Sequence, residues 1–222
     1  MFIVSALFAG LLLARASGEA DQGIHQDSPA QLRSEGGDAW KDWLQNYERD
    51  SWQKPDEVVE NLKLTPGDII VDIGAGDGYF TRRFAEAVGP RGQAVGLEVA
   101  SSKVESMKRD ADRLGLENYT AVLAEKDDPG FEPESVDVVF LCNAYHHIGN
   151  RVDYFKKVSA GLKKDGRVIV VDFYNKRMAV GPPPSHTLSR EKVLEEMKTA
   201  GYQLLADRDF LEYQYYLEFR LK

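Results

Sequence analysis

The chain has 222 residues, with 36 acidic and 28 basic side chains and a formal net charge of -8 at pH 7. This acidic balance disfavours a nucleic-acid backbone as the main partner, because such binding depends on lysine and arginine neutralising phosphates. The single cysteine, Cys142, excludes an intramolecular disulfide, and the length allows one α/β domain with a buried core and a short extra segment.

An apolar run occupies residues 2–14, interrupted only by Ser5 and Gly10. It is shorter than the roughly 20 residues that a membrane-spanning helix needs, and it has the length of a signal-peptide core. Ala14-Arg15-Ala16 offers a cleavage site, but no basic residue precedes the run, so an uncleaved apolar tail or a misplaced start codon are the alternatives. We predict a signal peptide over residues 1–18 and an extracytoplasmic mature protein, periplasmic or secreted, with no stable membrane span after cleavage. A cytoplasmic location is the alternative.

Residues 19–54 are predicted to form a polar linker followed by a helical cap. The cap is indicated by large side chains spaced i, i+3, i+4 and i+7, which share one helix face: Trp40, Trp43, Leu44 and Tyr47. Such a face packs on the domain or forms a lid over a ligand pocket, and both alternatives stay open. Pro55 suits the first turn of a helix running to about Leu62, and the main domain is predicted over residues 55–222.

A glycine-rich turn, Gly74-Ala75-Gly76-Asp77-Gly78, follows the apolar run Ile69–Val71 and precedes the amphipathic run Tyr79–Val88. This is the layout of a buried parallel strand, a tight turn and a helix whose N-terminal N–H groups are free for a ligand. The spacing is G-x-G-x-G, not the G-x-G-x-x-G of a dinucleotide site. Asp72, at the end of the strand, would repel a phosphate and suit a cationic or amino-bearing ligand, so a nicotinamide oxidoreductase is disfavoured.

The stretch Val71–Phe80 resembles the first motif of class I S-adenosylmethionine (SAM)-dependent methyltransferases. The resemblance covers about residues 56–222, and it rests on the order and spacing of several motifs taken together. It implies SAM as the cofactor, bound at the end of the first strand by the acid and the glycines of this motif, namely Asp72, Gly74, Gly76 and Gly78.

The second and third strands are each followed by acidic residues. Gly92–Val99 is predicted to be the second strand, and it ends in Glu98, where a carboxylate can accept two hydrogen bonds from a ribose diol. Asn118–Leu123 is predicted to be the third strand. The resemblance implies that an acid just after it accepts a hydrogen bond from the adenine amino group. Glu125 fits that position best and Asp127 is the alternative.

Val136–Cys142 predicts a fully buried fourth strand, ending in the sequence Asn143-Ala144-Tyr145-His146-His147. This resembles the fourth motif of small-molecule methyltransferases, in which the strand tip faces the methyl group. It differs from the Asn-Pro-Pro-Tyr form that many nucleic-acid N-methylating enzymes use. Asn143 is therefore assigned to the cofactor site.

The remaining elements complete the predicted fold. A helix over about Arg151–Leu162, a fifth strand over Arg167–Phe173, a helix over Ser189–Lys198 and a terminal hairpin of Tyr202–Phe210 and Tyr213–Leu221 follow in order. The pattern predicts a doubly wound, Rossmann-like α/β sheet. The resemblance implies the seven-stranded order 3-2-1-4-5-7-6 with an antiparallel last strand.

Ligands of open α/β sheets bind beyond the carboxyl ends of the strands. We therefore expect the acceptor pocket between the tip of the fourth strand and two covers, the aromatic segment 40–52 and the loop 181–186. Tyr145 and His186 are expected to contact the acceptor. Three histidines are candidate general bases, because an imidazole titrates near neutrality: His146, His147 and His186. His147 is the expected base among them. No metal site is predicted.

The function predicted from these features is SAM-dependent methyl transfer to a small-molecule or lipid-like acceptor. The resemblance leans towards ubiquinone/menaquinone C-methyltransferases and arsenite methyltransferases, although arsenite methylation in that group uses several cysteines and this chain has one. The alternatives are a SAM-binding protein without catalytic activity and a protein methyltransferase. The oligomeric state is not predicted.

Overall fold

The computed structural model describes residues 49–222. The predicted signal peptide, the linker and the aromatic face of Trp40 to Tyr47 lie outside the described residues and stay predictions. Residues 49–53 are helical, and five longer helices and seven strands follow. The helices are α1 (Pro55–Leu62), α2 (Thr81–Val88), α3 (Ser101–Leu114), α4 (Arg151–Gly161) and α5 (Arg190–Thr199). The strands are β1 (Ile69–Ile73), β2 (Gln93–Glu98), β3 (Tyr119–Leu123), β4 (Val136–Cys142), β5 (Leu162–Phe173), β6 (Tyr202–Arg208) and β7 (Gln214–Leu221).

The seven strands form one sheet in the order β3-β2-β1-β4-β5-β7-β6. Neighbouring strands from β3 to β5 are parallel, whereas β7 is antiparallel to both β5 and β6. The predicted strand order and the antiparallel last strand are confirmed. The switch in chain direction lies between β1 and β4, where the connections leave on opposite sides, and this is where α/β sheets form ligand crevices.

Helices cover both faces of the sheet and create two apolar cores. One core packs α1, α2 and α3 against the sheet through side chains such as Leu62, Phe84 and Met107. The other packs α4 and α5 through Phe155 and Met197, among others. The central strands are buried on both faces, which explains their continuous apolar sequences. The site is thus built on rigid elements.

The helix boundaries follow local sequence signals. Pro55 opens α1, with acidic residues in the first turn that favour the positive end of the helix dipole. The backbone N–H of Lys192 donates to the Ser189 hydroxyl, as expected for an N-cap. Ser101 is already the first helical residue of α3, and the capping position is taken by Ala100 without a side-chain bond.

Two connections differ from the regular alternation of strands and helices in a doubly wound sheet. Residues 124–135, between β3 and β4, form a loop without a helix, and a cavity of about 890 Å³ lies between this loop and the sheet. Its apolar lining includes Val71, Val95 and Phe131. The second difference is β5, which begins at Leu162 rather than at Arg167, because residues 164–166 are an irregularity within an extended segment.

Within residues 49–222, none of the helices combines the length and the apolar character that a membrane crossing needs.

Candidate active site

The glycine turn after β1 is tightly packed on one side and open on the other. Gly74, Gly76 and Gly78 have φ values of 74°, 58° and 77°, in the left-handed region that favours glycine. A Cβ on Gly74 would lie 2.5 Å from the Cβ of Ala144, just beyond the tip of β4, and one on Gly78 would meet the Tyr119 hydroxyl. Within residues 49–222, a Cβ on Gly76 would have no heavy atom within 4 Å. Gly76 therefore faces open space at the carboxyl edge of the sheet.

Glu98, at the end of β2, holds the other side of this opening. One carboxylate oxygen accepts a hydrogen bond from the Gly76 N–H at 3.0 Å, and the other accepts from the N–H groups of Val99 and Ala100 at 2.8 and 3.0 Å. A carboxylate offers about four acceptor positions, so three are engaged. A ribose diol that donates two hydrogen bonds to Glu98 must therefore replace or share at least one backbone contact.

We expect the change Glu98→Gln to weaken SAM binding by about 10- to 150-fold, because a hydrogen bond to a charged acceptor is worth about 1.5–3 kcal/mol. Calorimetric titration with SAM measures the effect. The matched control is Glu105→Gln, which changes an exposed glutamate of α3 paired with Lys108. Equal SAM affinity of the two variants would contradict the role of Glu98.

Asp72 is a buried carboxylate in β1, with only 3% of the residue exposed. The Thr81 hydroxyl donates a hydrogen bond to it at 2.7 Å. Burial raises its pKa to about 7, although the Thr81 hydrogen bond and the nearby Arg49 charge act in the opposite direction. The site thus holds an acid that titrates near neutrality and that a cation would keep ionised.

The helical residues 49–53 lie across the carboxyl edge of the sheet. The Arg49 guanidinium stacks over the Tyr79 ring at 3.8 Å and donates hydrogen bonds to the side-chain oxygen of Gln53 at 3.2 Å. Gln53 is fully buried and donates to the side-chain oxygen of Gln214 on β7. The part of the predicted cap that the structure describes is therefore anchored to the sheet next to the glycine turn.

Asn143 follows β4 with a positive φ of 57°. Its backbone N–H donates to the Val171 carbonyl at 2.9 Å, and its side-chain oxygen accepts from Gln214 at 2.6 Å. These contacts fix the residue beside the glycine turn, and no partner among residues 49–222 bonds its amide N–H₂. Assignment of Asn143 to the cofactor site stays a prediction.

Three residues of the turn after β4 have different surroundings. Tyr145 is fully buried, its hydroxyl donates to Glu196 of α5 at 3.1 Å, and its ring stacks on Phe155. These contacts give Tyr145 a structural role, and its expected contact with the acceptor stays a prediction. His146 faces Asp172 of β5, with its Nδ1 2.8 and 2.9 Å from the two carboxylate oxygens.

His147 is exposed, and its ring lies 4.1 Å from that of His146. Partial burial and the neighbouring His146 lower the pKa of His147, whereas Asp172 raises it. His186 also contributes to this shift, which places the loop 181–186 near the same turn. The expectation that His147 is the base remains a prediction, and His146 and His186 remain the alternatives.

Both predicted covers meet on Phe173, the last residue of β5. The Trp52 ring lies 5.6 Å from the Phe173 ring, and Gly181 lies so close that a Cβ there would be 2.6 Å from Phe173 ring carbons. Asn175 anchors the loop by donating to the Pro184 carbonyl at 2.6 Å. His186 is exposed at the end of this loop. Its contact with an acceptor stays a prediction.

The acidic loop after β3 does not decide between the two adenine candidates. Glu125 and Asp127 are both exposed. The backbone carbonyl of Asp127 accepts a hydrogen bond from Lys157 at 2.8 Å, and Glu125 lines the cavity beneath the loop. Both residues stay candidates.

Several site residues were missed by the sequence interpretation. Asp172 could have been found, because a single acid interrupts the apolar run of β5 near the site edge. Gln53 and Gln214 carry no such signal, since each is one amide among polar or aromatic neighbours and only the fold brings them together. Among residues 49–222, no group of three or more histidine, cysteine or acidic side chains is arranged to hold a metal ion.

The site fits the cofactor that the sequence indicated. The open space at Gly76 admits a ligand against the backbone, Glu98 presents a carboxylate to it, and Asp72 has acceptor capacity beyond its bonds to Thr81. A sulfonium or amino cation beside Asp72 and hydroxyl donors beside Glu98 are what SAM would bring. These residues would hold SAM along the ends of β1 and β2.

Comparison with known proteins gives the same assignment. Residues 64–209, more than half of the chain, match the family model described as a methyltransferase domain, and the chain belongs to this family. The cofactor that the family and fold imply is SAM. The structure resembles the crystal structure of a SAM-dependent methyltransferase from Aquifex aeolicus with a TM-score of 0.74 and 18% identity, covering 87% of this chain and 98% of that one. The seven-stranded sheet is thus the class I methyltransferase fold.

Curated relatives share the central part of the sequence. The ubiquinone/menaquinone biosynthesis C-methyltransferase UbiE of Ectopseudomonas mendocina is 28% identical over 117 residues, 52% of this chain and 46% of that protein. The aklanonic acid methyltransferase DauC of Streptomyces sp. (strain C5) is 33% identical over 111 residues, half of each chain. The chain spans about half the length of the curated relatives it matches.

Proposed function

We propose that the protein transfers the methyl group of SAM to a small organic or lipid-like acceptor. The observation that carries this proposal is the opening at Gly76, bordered by the Glu98 carboxylate and lying beside the tip of β4. The names of the relatives support the acceptor class, since they refer to quinone biosynthesis and to aklanonic acid. Quinones and aklanonic acid are small organic molecules.

Methyl transfer from SAM requires mainly that the cofactor and the acceptor are positioned against each other. SAM supplies a methyl group on a good leaving group, and in-line displacement is accelerated by holding the two partners together and excluding water. Asp72 and Glu98 would orient the cofactor at the ends of β1 and β2. Residues 49–53 and Phe173 would shield the acceptor side, because they cover the edge of the sheet next to the tip of β4.

The fold alone does not distinguish catalysis from binding. A SAM-binding protein without activity and a protein methyltransferase share the cofactor site and differ in what lies above it. The acidic balance of the chain favours neither RNA nor DNA as acceptor. These alternatives are separated by the acceptor fraction that receives the methyl group.

We expect calorimetry to show binding of SAM and of its demethylated product, and no binding of NAD. Incubation with methyl-labelled SAM and a deproteinised small-molecule extract of the source cells is expected to label an organic-soluble fraction. The parallel incubations contain total protein or RNA from the same cells. Label in the protein or RNA fraction alone would overturn the acceptor class, and SAM binding without label in any fraction would favour a non-catalytic role.

A further inference from the structure

A histidine and an aspartate form a buried pair at the carboxyl ends of β4 and β5. The side chain of His146 is 7% exposed and that of Asp172 is 0% exposed. The His146 Nδ1 lies within 2.9 Å of both Asp172 oxygens. Asp172 also accepts a hydrogen bond from the Phe173 N–H at 2.8 Å, which orients the carboxylate towards the imidazole. The ring is therefore held in one orientation by a fixed acceptor.

This arrangement defines the tautomer of His146. A carboxylate on Nδ1 requires the proton on that nitrogen, so the neutral ring carries its lone pair on Nε2. No residue from 49 to 222 forms a hydrogen bond with Nε2. The pair thus presents a free base nitrogen.

The pair lies beside the cofactor turn. Ala144, two residues before His146, is the residue that a Cβ on Gly74 would contact at 2.5 Å. Two trans peptide bonds span at most about 7.6 Å, so the His146 backbone stays within that distance of Ala144. Phe173, on which Trp52 and the loop 181–186 converge, directly follows Asp172. His146 therefore stands between the glycine turn and the covered acceptor side.

We propose that His146 is the general base of the reaction, that Asp172 is its positioning residue, and that the acceptor is a molecule whose methylated atom is activated by loss of a weakly acidic proton, as in a phenolic or enolic hydroxyl. This inference rests on the proposed function. Nε2 of His146 takes the acceptor proton, and the electron pair released on the acceptor forms the bond to the methyl carbon. The carbon–sulfur bond breaks, its electron pair stays on sulfur, and the imidazolium formed is stabilised by Asp172 until it loses the proton to water.

His147 is less suited to this role. It is exposed, and its ring contacts His146 but has no hydrogen bond to a carboxylate in the described part of the chain. The titratable groups around this pair are His147 on the same turn, His186 on the loop 181–186, whose charge acts on His147, and Tyr215, which is paired with Asp172 across β5 and β7.

The first test is nuclear magnetic resonance of the protein labelled with ¹⁵N in histidine, with His146→Ala used to assign the ring signals. We expect the neutral His146 ring to carry its proton on Nδ1. Asp172→Asn is expected to shift it to the other tautomer, because the asparagine amide can donate to Nδ1. The control Asp153→Asn changes an exposed aspartate of α4 paired with Lys156. A proton on Nε2 in the unmodified protein, or no change in Asp172→Asn, would overturn the pairing without bearing on SAM binding.

The second test is methyl transfer from labelled SAM to the deproteinised extract, measured as a function of pH. We expect turnover to rise as the pH increases through the titration of an imidazole. His146→Ala is expected to lose this limb and about 100-fold or more in turnover, within the range of general base catalysis. SAM affinity is expected to change less than threefold, and Asp172→Asn is expected to lower turnover without raising the apparent KM. Full turnover in His146→Ala, or a larger loss in His147→Ala, would reject His146 as the base.

Discussion

Replacing Asp72 with asparagine is expected to stabilise the protein at pH 8 and to abolish the pH dependence of SAM binding. Burial raises the folded-state pKa of Asp72 from 3.8 to about 7. Between these values the folded protein holds a proton that the unfolded chain has released, so stability falls as the pH rises. The contribution of Asp72 is present at acidic pH and is lost as the pH passes through 7. Asparagine has no such titration.

The expected size of this effect is about 2–3 kcal/mol between pH 5 and pH 7, because each unit of pKa difference corresponds to about 1.4 kcal/mol. Urea unfolding of both proteins at several pH values measures it. A constant difference in unfolding free energy between Asp72→Asn and the unmodified protein across this range would contradict the raised pKa. The comparison between variants cancels the titration of other acids.

The same carboxylate should link SAM binding to pH. A cation beside Asp72 favours the ionised form, so binding releases a proton from the fraction of molecules that is still protonated. We expect SAM affinity to increase about five- to tenfold from pH 6 to pH 7.5 in the unmodified protein and to stay flat in Asp72→Asn. Calorimetry in buffers of different ionisation enthalpy counts the released protons. Equal pH dependence in both proteins would place the cation away from Asp72.

Alanine at Gly76 is expected to weaken SAM binding by about 5- to 150-fold, while alanine at Gly74 is expected mainly to destabilise the fold. Both positions have a positive φ, which costs about 1–2 kcal/mol in any other residue. The methyl group introduced by Gly76→Ala would enter the open space of the site, and overpacking there costs about 1–3 kcal/mol of ligand affinity. The methyl group introduced by Gly74→Ala would instead clash with Ala144 within the fold.

Thermal unfolding and SAM calorimetry on the same two variants separate these effects. Gly76→Ala is expected to lower Tm by about 2–8 °C, as follows from the backbone cost alone. Gly74→Ala is expected to lower it further, because Ala144 Cβ must move. Normal SAM affinity in folded Gly76→Ala would show that the ligand does not occupy the space at Gly76.

The sequence was informative where a local pattern has one structural solution. The bounds of strand β4 were predicted from a continuous apolar run. The position of Glu98 at the end of β2 was predicted from the pattern of the second strand. The pattern does not determine the orientation of Tyr145, because an aromatic residue after a strand can turn towards the site or into the helices. The Glu196 partner that decides this lies 51 residues away.

The other failures have a related cause. Residues 124–135 form a loop where a regular alternation of strands and helices would place a helix. Contacts with a distant element hold this loop, since the N–H groups of Glu134 and Ser135 donate to carbonyls at the end of α4. The His146–Asp172 pair depends on the relative register of β4 and β5, which aligns Cys142 with Val171. Register between distant strands is set by the whole sheet and cannot be read from either segment.

The side-chain hydrogen bonds that link Gln53 to Gln214 and Gln214 to Asn143 have a consequence for biosynthesis. Gln53 and Gln214 are 161 residues apart in sequence, and β7 inserts between β5 and β6. A ribosome-bound chain that ends before residue 214 offers Gln53 no such partner and leaves one edge of β5 unpaired. The hydrogen bonds that anchor Gln53 over the site edge can therefore form only after β7 has emerged from the exit tunnel.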